Sequence, residues 1–429
     1  MNQTQFYYRN DELYCEKVRI AEVAEEFGTP VFVYSASRLK ENILGLLSAA
    51  DAASGRWRVS YALKANSNPE ILKVIASFGL GASVVSGGEL LIALRSGFPA
   101  DSITFDGPGK TEQEIRLALD NNIKAIVVES EQELETIADI AAEREKLARV
   151  YIRVNPHVDA KTHPYISTGL LENKFGIALE EAEPLIAGCN YPWVKLVGLH
   201  SHIGSQITES EPFAEAASSI ADFVRLLQSK YGIVISEVDL GGGIGIPYHG
   251  VVRDARLPVD TASGNSDVPE FATYFEKASA PFAGLQVELT TEPGRAIIAD
   301  TCALVSTVLY TKKNSARTFA IVDAAMNDLL RPSLYGSYHQ IVPATIDPTR
   351  QHTVTSVVGP ICETGDFLAL DRELLSLRPK DTIAVLCAGA YGYALSSNYN
   401  LRPRAAEVIV FGSESEIIRD RETIEDILQ

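Results

Sequence analysis

A chain of 429 residues, 46% of them apolar and 22% charged, holds enough nonpolar material for two ordinary globular domains. Its 56 acidic and 38 basic residues give a formal charge of −18, which leaves no basic stripe to meet phosphates and sets nucleic acid aside as a partner. The first residues lack the basic and apolar regions of a secretion signal, no apolar run approaches the ~20 residues of a bilayer span, and Cys15, Cys189, Cys302, Cys362 and Cys387 form no C-x-x-C pair, so a reduced cytoplasmic setting with no membrane and no zinc site is expected.

Helical spacing over Ile20 to Phe27 is followed by the apolar run Pro30–Tyr34. An alternation then begins. Strand-like runs start near Trp57, Ala82, Ile103, Ala125, Val150, Leu196, Val238 and Val287. Helical patterns over Asn68–Phe78, Gly87–Ser96, Glu112–Asp120, Glu131–Ala148 and Pro212–Lys230 lie between them. Eight such units in about 240 residues predict a (β/α)₈ barrel over 36–300, with a doubly wound open sheet as the alternative. The polar insertions Asn155–Phe175 and Gly250–Asp267 follow barrel strands and are expected to form lids or walls of the catalytic face. From Ala303 the pattern changes to short β-rich runs: Val305–Tyr310, Thr318–Val322, His352–Val358, Phe367–Leu370 and Ala405–Phe411. These predict a β-barrel or sandwich domain over 301–429 that also takes in 1–35.

A barrel presents its chemistry at the C-terminal ends of its strands. The first expected strand ends in Tyr61-Ala62-Leu63-Lys64-Ala65-Asn66, where an ammonium in an apolar setting is costly unless it has a use. Lys64 either turns to solvent or serves Schiff-base chemistry. At the sixth strand, His200 and His202 share a face. Zinc is one use of such a pair; a core histidine at 200 and a flat ring stacked on an aromatic cofactor at 202, with Ser205 donating to a phosphate, is the other. Gly241-Gly242-Gly243 after the seventh strand is either a tight turn or a loop whose N–H groups converge on an anion. Glu292 ends the eighth strand, either paired with Arg295 at the surface or held against a protonated ring nitrogen. A reactive lysine, an anion-binding loop and such a carboxylate together describe a pyridoxal 5′-phosphate site, and no metal is expected.

The second domain adds Met326-Asn327-Asp328-Leu329 through Arg331-Pro332-Ser333-Leu334-Tyr335-Gly336, then Gly359-Pro360-Ile361-Cys362-Glu363-Thr364-Gly365-Asp366 and Gly389-Ala390-Tyr391-Gly392-Tyr393. Together with Val84–Leu90, Asn155-Pro156, Thr162–Gly169, Lys174-Phe175-Gly176, His202-Ile203-Gly204-Ser205-Gln206 and Glu292-Pro293-Gly294-Arg295, these segments resemble the fold-type III pyridoxal phosphate-dependent decarboxylases, and within them the branch acting on meso-2,6-diaminopimelate. The match runs in order from about residue 30 to 405.

That resemblance implies decarboxylation of meso-2,6-diaminopimelate to L-lysine and CO₂, the last step of lysine biosynthesis by that route. Ornithine, lysine or arginine are the alternative substrates. It implies that Lys64 anchors pyridoxal 5′-phosphate, His202 stacks on its ring and Glu292 faces the pyridine nitrogen. Ser205, Gly242, Gly243, Gly294, Arg295 and Tyr391 would serve the phosphate. Arg295, Arg331 and Tyr335 would bind the substrate's distal carboxylate, Tyr391 would also bind substrate, Glu363 would take the distal amino group, and Cys362 would deliver the proton. It further implies a homodimer with shared active sites, Cys362 and Glu363 reaching in from the second subunit. One position departs from the pattern: Ser83 stands where the family usually has an acidic residue that would support the stacked histidine.

Overall fold

The computed structural model describes residues 5–159, 174–258 and 268–428, so most of the first expected wall, with the Thr162–Gly169 motif, and the end of the second lie outside the described residues. The chain divides into two units, one of Ile43–Gly245 with Val268–Gly294, the other of Met1–Asn42 with Ile246–Asp267 and Arg295–Gln429.

The first unit is a closed barrel of eight parallel strands: β1 (Arg56–Ala62), β2 (Gly81–Val84), β3 (Ile103–Phe105), β4 (Ala125–Val128), β5 (Ala148–Asn155), β6 (Val194–His200), β7 (Glu237–Asp239) and β8 (Glu288–Thr291). Each pairs with the next, and β8 pairs with β1, which excludes the open sheet. Strands covered on both faces need continuous apolar sequence, and β4 is buried at all four of its positions. The helices that return the chain start on defined caps. Asn68 accepts from the Glu70 amide ahead of Pro69, and Thr111 and Glu114 form a reciprocal capping box. At the N-terminal end of the barrel Tyr151 fills the interior and donates to Glu237 at 2.6 Å, while Lys124 and Arg149 neutralise that carboxylate at 3.1 and 3.0 Å. Gly198 makes room for the ring: a Cβ there would lie 2.8 Å from Tyr151 and 2.5 Å from the Glu237 carbonyl oxygen. The polar chemistry at this end is structural, and the other end is left for function.

The second unit is built on the long strand Cys302–Lys313, which pairs antiparallel with Val31–Ser35, Thr318–Val322 and Thr382–Leu386. Val31–Ser35 also pairs, in parallel, with Ala406–Phe411, so the N-terminal segment is an internal strand of this sheet. Ile341–Pro343, Thr382–Leu386, Glu414–Arg419 and the helix Leu179–Gly188 of the barrel unit are elements absent from the sequence reading. All five cysteines are free. Among the described residues, no helix is long and apolar enough to cross a membrane.

Candidate active site

Strand β1 stops at Ala62, and Leu63–Ala65 form a single 3₁₀ turn. The lysine therefore sits on a turn beyond the strand and is not sunk in its apolar end. Leu63 and Ala65 are buried, while the Lys64 side chain between them is exposed, so its charge carries little desolvation cost. The turn is rigidly supported. Tyr61 donates its hydroxyl to the Asn66 carbonyl at 3.0 Å, and Asn66 Oδ1 accepts the Asn68 amide at 2.9 Å. Gly294 packs so closely against it that a Cβ would lie 2.8 Å from that of Ala65. The Lys64 ammonium acts electrostatically on Glu89, Asp106, His202 and Glu292.

His202, half-buried just beyond β6, accepts the Gly242 amide at Nδ1 across 3.2 Å. That bond requires an unprotonated Nδ1. Burial, then the cations Lys64 and Arg153, push the ring's pKa well below its ordinary value, so it is a flat neutral imidazole. The glycine loop is wedged between the exits of β6 and β8. A Cβ on Gly242 would lie 2.1 Å from the Glu292 carbonyl oxygen, and one on Gly243 would lie 2.4 Å from that of Gly204. Within the loop, the Gly241 amide donates to Asp239 Oδ1 at 2.9 Å and the Gly245 amide to the Ile207 carbonyl at 3.0 Å, so three of its N–H groups are already engaged by protein.

Glu292 and Arg295 are only 6% and 5% exposed, so the surface-pair alternative does not hold. Glu292 meets His200 Nε2 at 3.3 Å and Thr104 Oγ1 at 3.4 Å, and its own amide donates to the Gly241 carbonyl at 2.8 Å. Burial opposes its charge, yet His200 and Lys64 hold it well below the usual carboxylate range. Asp106, absent from the sequence reading, lies 3.7 Å from His200 and accepts the Ser83 hydroxyl. Its signal was present: it directly follows β3, at a catalytic-face strand end. The serine at 83 therefore has a carboxylate beside it, aimed at His200.

In the β-rich unit, Arg331 is buried and held by defined partners. Nη1 donates to His339 Nε2 at 2.8 Å and Nη2 to Ser337 Oγ at 3.3 Å. The His339 Nδ1–H donates to the Leu386 carbonyl at 2.8 Å, which fixes that ring as the neutral acceptor. Arg331 stacks 4.8 Å from the Tyr248 ring. Arg295 donates to the Tyr248 hydroxyl at 2.6 Å and lies 5.1 Å from the Tyr391 ring. Burial, and then Arg295 beside it, pull the Arg331 pKa below the ordinary guanidinium value. Among the described residues no carboxylate lies within ion-pair distance of Arg331. Tyr335 is half-buried and Tyr391 adopts φ +57°, a left-handed conformation uncommon outside glycine and a frequent mark of functional positions. Cys362 and Glu363 are exposed, the Cys362 amide donating to Asn400 Oδ1 at 3.0 Å and Tyr399 donating to Glu363 at 3.5 Å.

Residues 40–299 match the family described as pyridoxal-dependent decarboxylase, pyridoxal binding domain. A diaminopimelate decarboxylase of Aquifex aeolicus is 42% identical over 423 residues, 98% of this chain and 96% of its own. A solved diaminopimelate decarboxylase of Helicobacter pylori, complexed with L-lysine, is 39% identical with a TM-score of 0.87, covering 95% of this chain and 98% of that one. The M. jannaschii enzyme in co-complex with L-lysine aligns with a TM-score of 0.89 at 35% identity, over 100% and 97% of the two chains.

Proposed function

This chain belongs to the diaminopimelate decarboxylase family of pyridoxal-dependent decarboxylases, and from that premise we propose that it removes one carboxylate of meso-2,6-diaminopimelate to give L-lysine and CO₂. The residues fit pyridoxal 5′-phosphate by their chemistry: an exposed amine at Lys64, a neutral ring at His202, a carboxylate kept ionised at Glu292, and a glycine loop too tight for any side chain. When bound, the cofactor supplies an electron-withdrawing ring that accepts the electrons of the breaking carbon–carbon bond.

In this reading Lys64 would hold the cofactor through its side-chain amine. His202 would cover the ring and Glu292 would keep the ring nitrogen protonated. Ser205, Gly243, Gly294 and Tyr391 serve the phosphate. Gly242 contributes by letting the loop approach, since its amide belongs to His202. Arg331, with Arg295 and Tyr335, binds the distal carboxylate, Glu363 the distal amine, and Cys362 protonates the carbon that lost its carboxylate.

The observation that carries the substrate assignment is the buried Arg331, pinned by His339 and Ser337 and with no acidic partner among the described residues. Ornithine, lysine and arginine would set a cation against it, whereas a second carboxylate completes it. CO₂ release assayed over meso-diaminopimelate, lysine, ornithine and arginine is expected to favour the first strongly over the other three; preference for ornithine or arginine would overturn the assignment.

A cytoplasmic homodimer with composite sites completes the reading. Its support is the exposure of Cys362 and Glu363, which leaves both side chains available to a second subunit. Lys64→Ala and Cys362→Ala subunits, each inactive, are expected to recover up to about a quarter of wild-type activity after exchange, because half of randomly mixed dimers are hybrid and each hybrid carries one intact site. No recovery despite demonstrated exchange would rule out shared sites.

A further inference from the structure

Behind Glu292, side chains from three strand exits meet in a space closed to solvent. His200 Nε2 lies 3.3 Å from Glu292 Oε2 and 3.7 Å from Asp106 Oδ1, and all three residues are buried. We propose that Asp106 and His200 are positioning residues, His200 being an imidazolium whose Nε2–H faces both carboxylates and holds Glu292 ionised and fixed in orientation. This rests on the reading of Glu292 as the partner of the pyridine nitrogen, and gives that residue its support.

The charge balance requires the proton. Without it the buried carboxylates of Asp106 and Glu292 would crowd a neutral imidazole, an arrangement heavily penalised by desolvation and mutual repulsion. The other groups facing the cluster are accounted for. Ser83 donates to Asp106, Thr104 to Glu292, and Tyr274 shares its hydroxyl with Thr291. His202 is neutral, Lys64 acts on Asp106 and Glu292 from an exposed position, and Asp239 accepts the Gly241 amide. Burial and Glu292 together push Asp239 well above the ordinary carboxylate range. What remains is an Asp106–His200–Glu292 set with one cation between two anions. Burial pulls the His200 pKa down, but Asp106 and Glu292 outweigh it and lift it above the ordinary value. Burial and Glu292 raise Asp106 to about 6. Below that pH Asp106 takes up a proton and leaves His200 to Glu292 alone.

The acid beside Ser83 faces His200 and not the stacked His202. Register pairs Ser83 with Thr104, and Asp106 follows two residues beyond, its carboxylate bonded to the Ser83 hydroxyl. Side chains at 83 and 106 thus reach the same space from adjacent strands, and the acid can sit on either.

The test is ¹⁵N-histidine NMR of the full chain, with and without pyridoxal phosphate, the His200 signals assigned by their loss in His200→Gln. Wild-type His200 is expected to keep both ring protons through neutral pH. Asp106→Asn is expected to lower its midpoint by about one unit or more, and to weaken cofactor affinity roughly tenfold. Ser83→Asp combined with Asp106→Asn is expected to restore both, which a purely space-filling role for Asp106 would not produce. A neutral His200 at pH 7, a midpoint unmoved by Asp106→Asn, or unmoved cofactor affinity would each overturn the proposal. So would a stoichiometric divalent ion held by these three side chains, whose donor atoms lie within 4.8 Å of one another. The wild-type titration decides even where Asp106→Asn fails to fold. Since it is also read without cofactor, failure to bind pyridoxal phosphate at all would count against the cofactor reading and not against the shared proton.

Discussion

Lys64→Ala is expected to remove the visible absorption of the pyridoxal phosphate-loaded protein and to lower CO₂ release by roughly 10⁴-fold or more, the scale of loss when a covalent catalytic group is deleted. The thermal midpoint should stay close to wild type. That combination follows from where the side chain sits. Lys64 is exposed, so its truncation leaves neither a cavity nor an orphaned buried polar atom. The turn that carries it is fixed by Tyr61, Asn66 and Gly294, which the substitution does not touch. Lys64→Arg should fail in the same way, because a guanidinium remains protonated at any working pH and offers no nucleophilic amine. Visible absorption that persists unchanged in Lys64→Ala would place the cofactor on another residue. Glu292 and His202 would keep their geometry in either case, since both are held by the glycine loop and by His200.

The barrel was legible in the sequence because parallel strands buried on both faces must be written as unbroken apolar runs, as Ala125–Val128 is. The helix Leu179–Gly188 was not, because Pro184 reads as a breaker; the helix accepts it at the loss of one internal hydrogen bond. Thr382–Leu386 holds only a four-residue apolar run with no alternation, which becomes recognisable as a strand only once Cys302–Lys313 and Ile341–Pro343 flank it. The same division applies to the candidate site. Lys64, His202 and Glu292 are readable because each closes a strand, where a barrel gathers its reactive groups. The exposure of Lys64 was also open to reading, since Leu63 and Ala65 flank it as the apolar pair of a turn. The contact of Asp106 with His200 was not, because the two are far apart in sequence and meet only when strand exits converge on closure. His339 is a similar case. Nothing in Gly336-Ser337-Tyr338-His339 distinguishes a core histidine from one whose Nε2 aims a buried arginine, until Leu386 is seen to fix its tautomer.

Arg331→Met should cost the preferred substrate more than any other change in the β-rich unit. Removing one partner of a buried, hydrogen-bonded charge pair costs about 2–5 kcal/mol, which corresponds to roughly 30- to 5,000-fold in kcat/KM for meso-diaminopimelate. Part of that loss should fall on kcat, because a distal anchor that holds the scissile bond in line spends its binding energy on orientation. Arg331→Lys should recover little. His339 Nε2 and Ser337 Oγ receive two different nitrogens of one planar fork, and an ammonium cannot reproduce that geometry while also facing a carboxylate. The discriminating comparison is lysine itself, which lacks the distal carboxylate. Its poor turnover should be unaffected by Arg331→Met, since it never used the guanidinium, so the ratio between the two substrates should collapse. Equal losses for both would mean that Arg331 supports the fold and not the substrate, and buried Arg331 would then need its counter-charge from elsewhere. The thermal midpoint separates the cases. Methionine fills similar volume, and a buried cation with no acid partner contributes little to stability, so a specificity role predicts a midpoint held or raised alongside the lost discrimination.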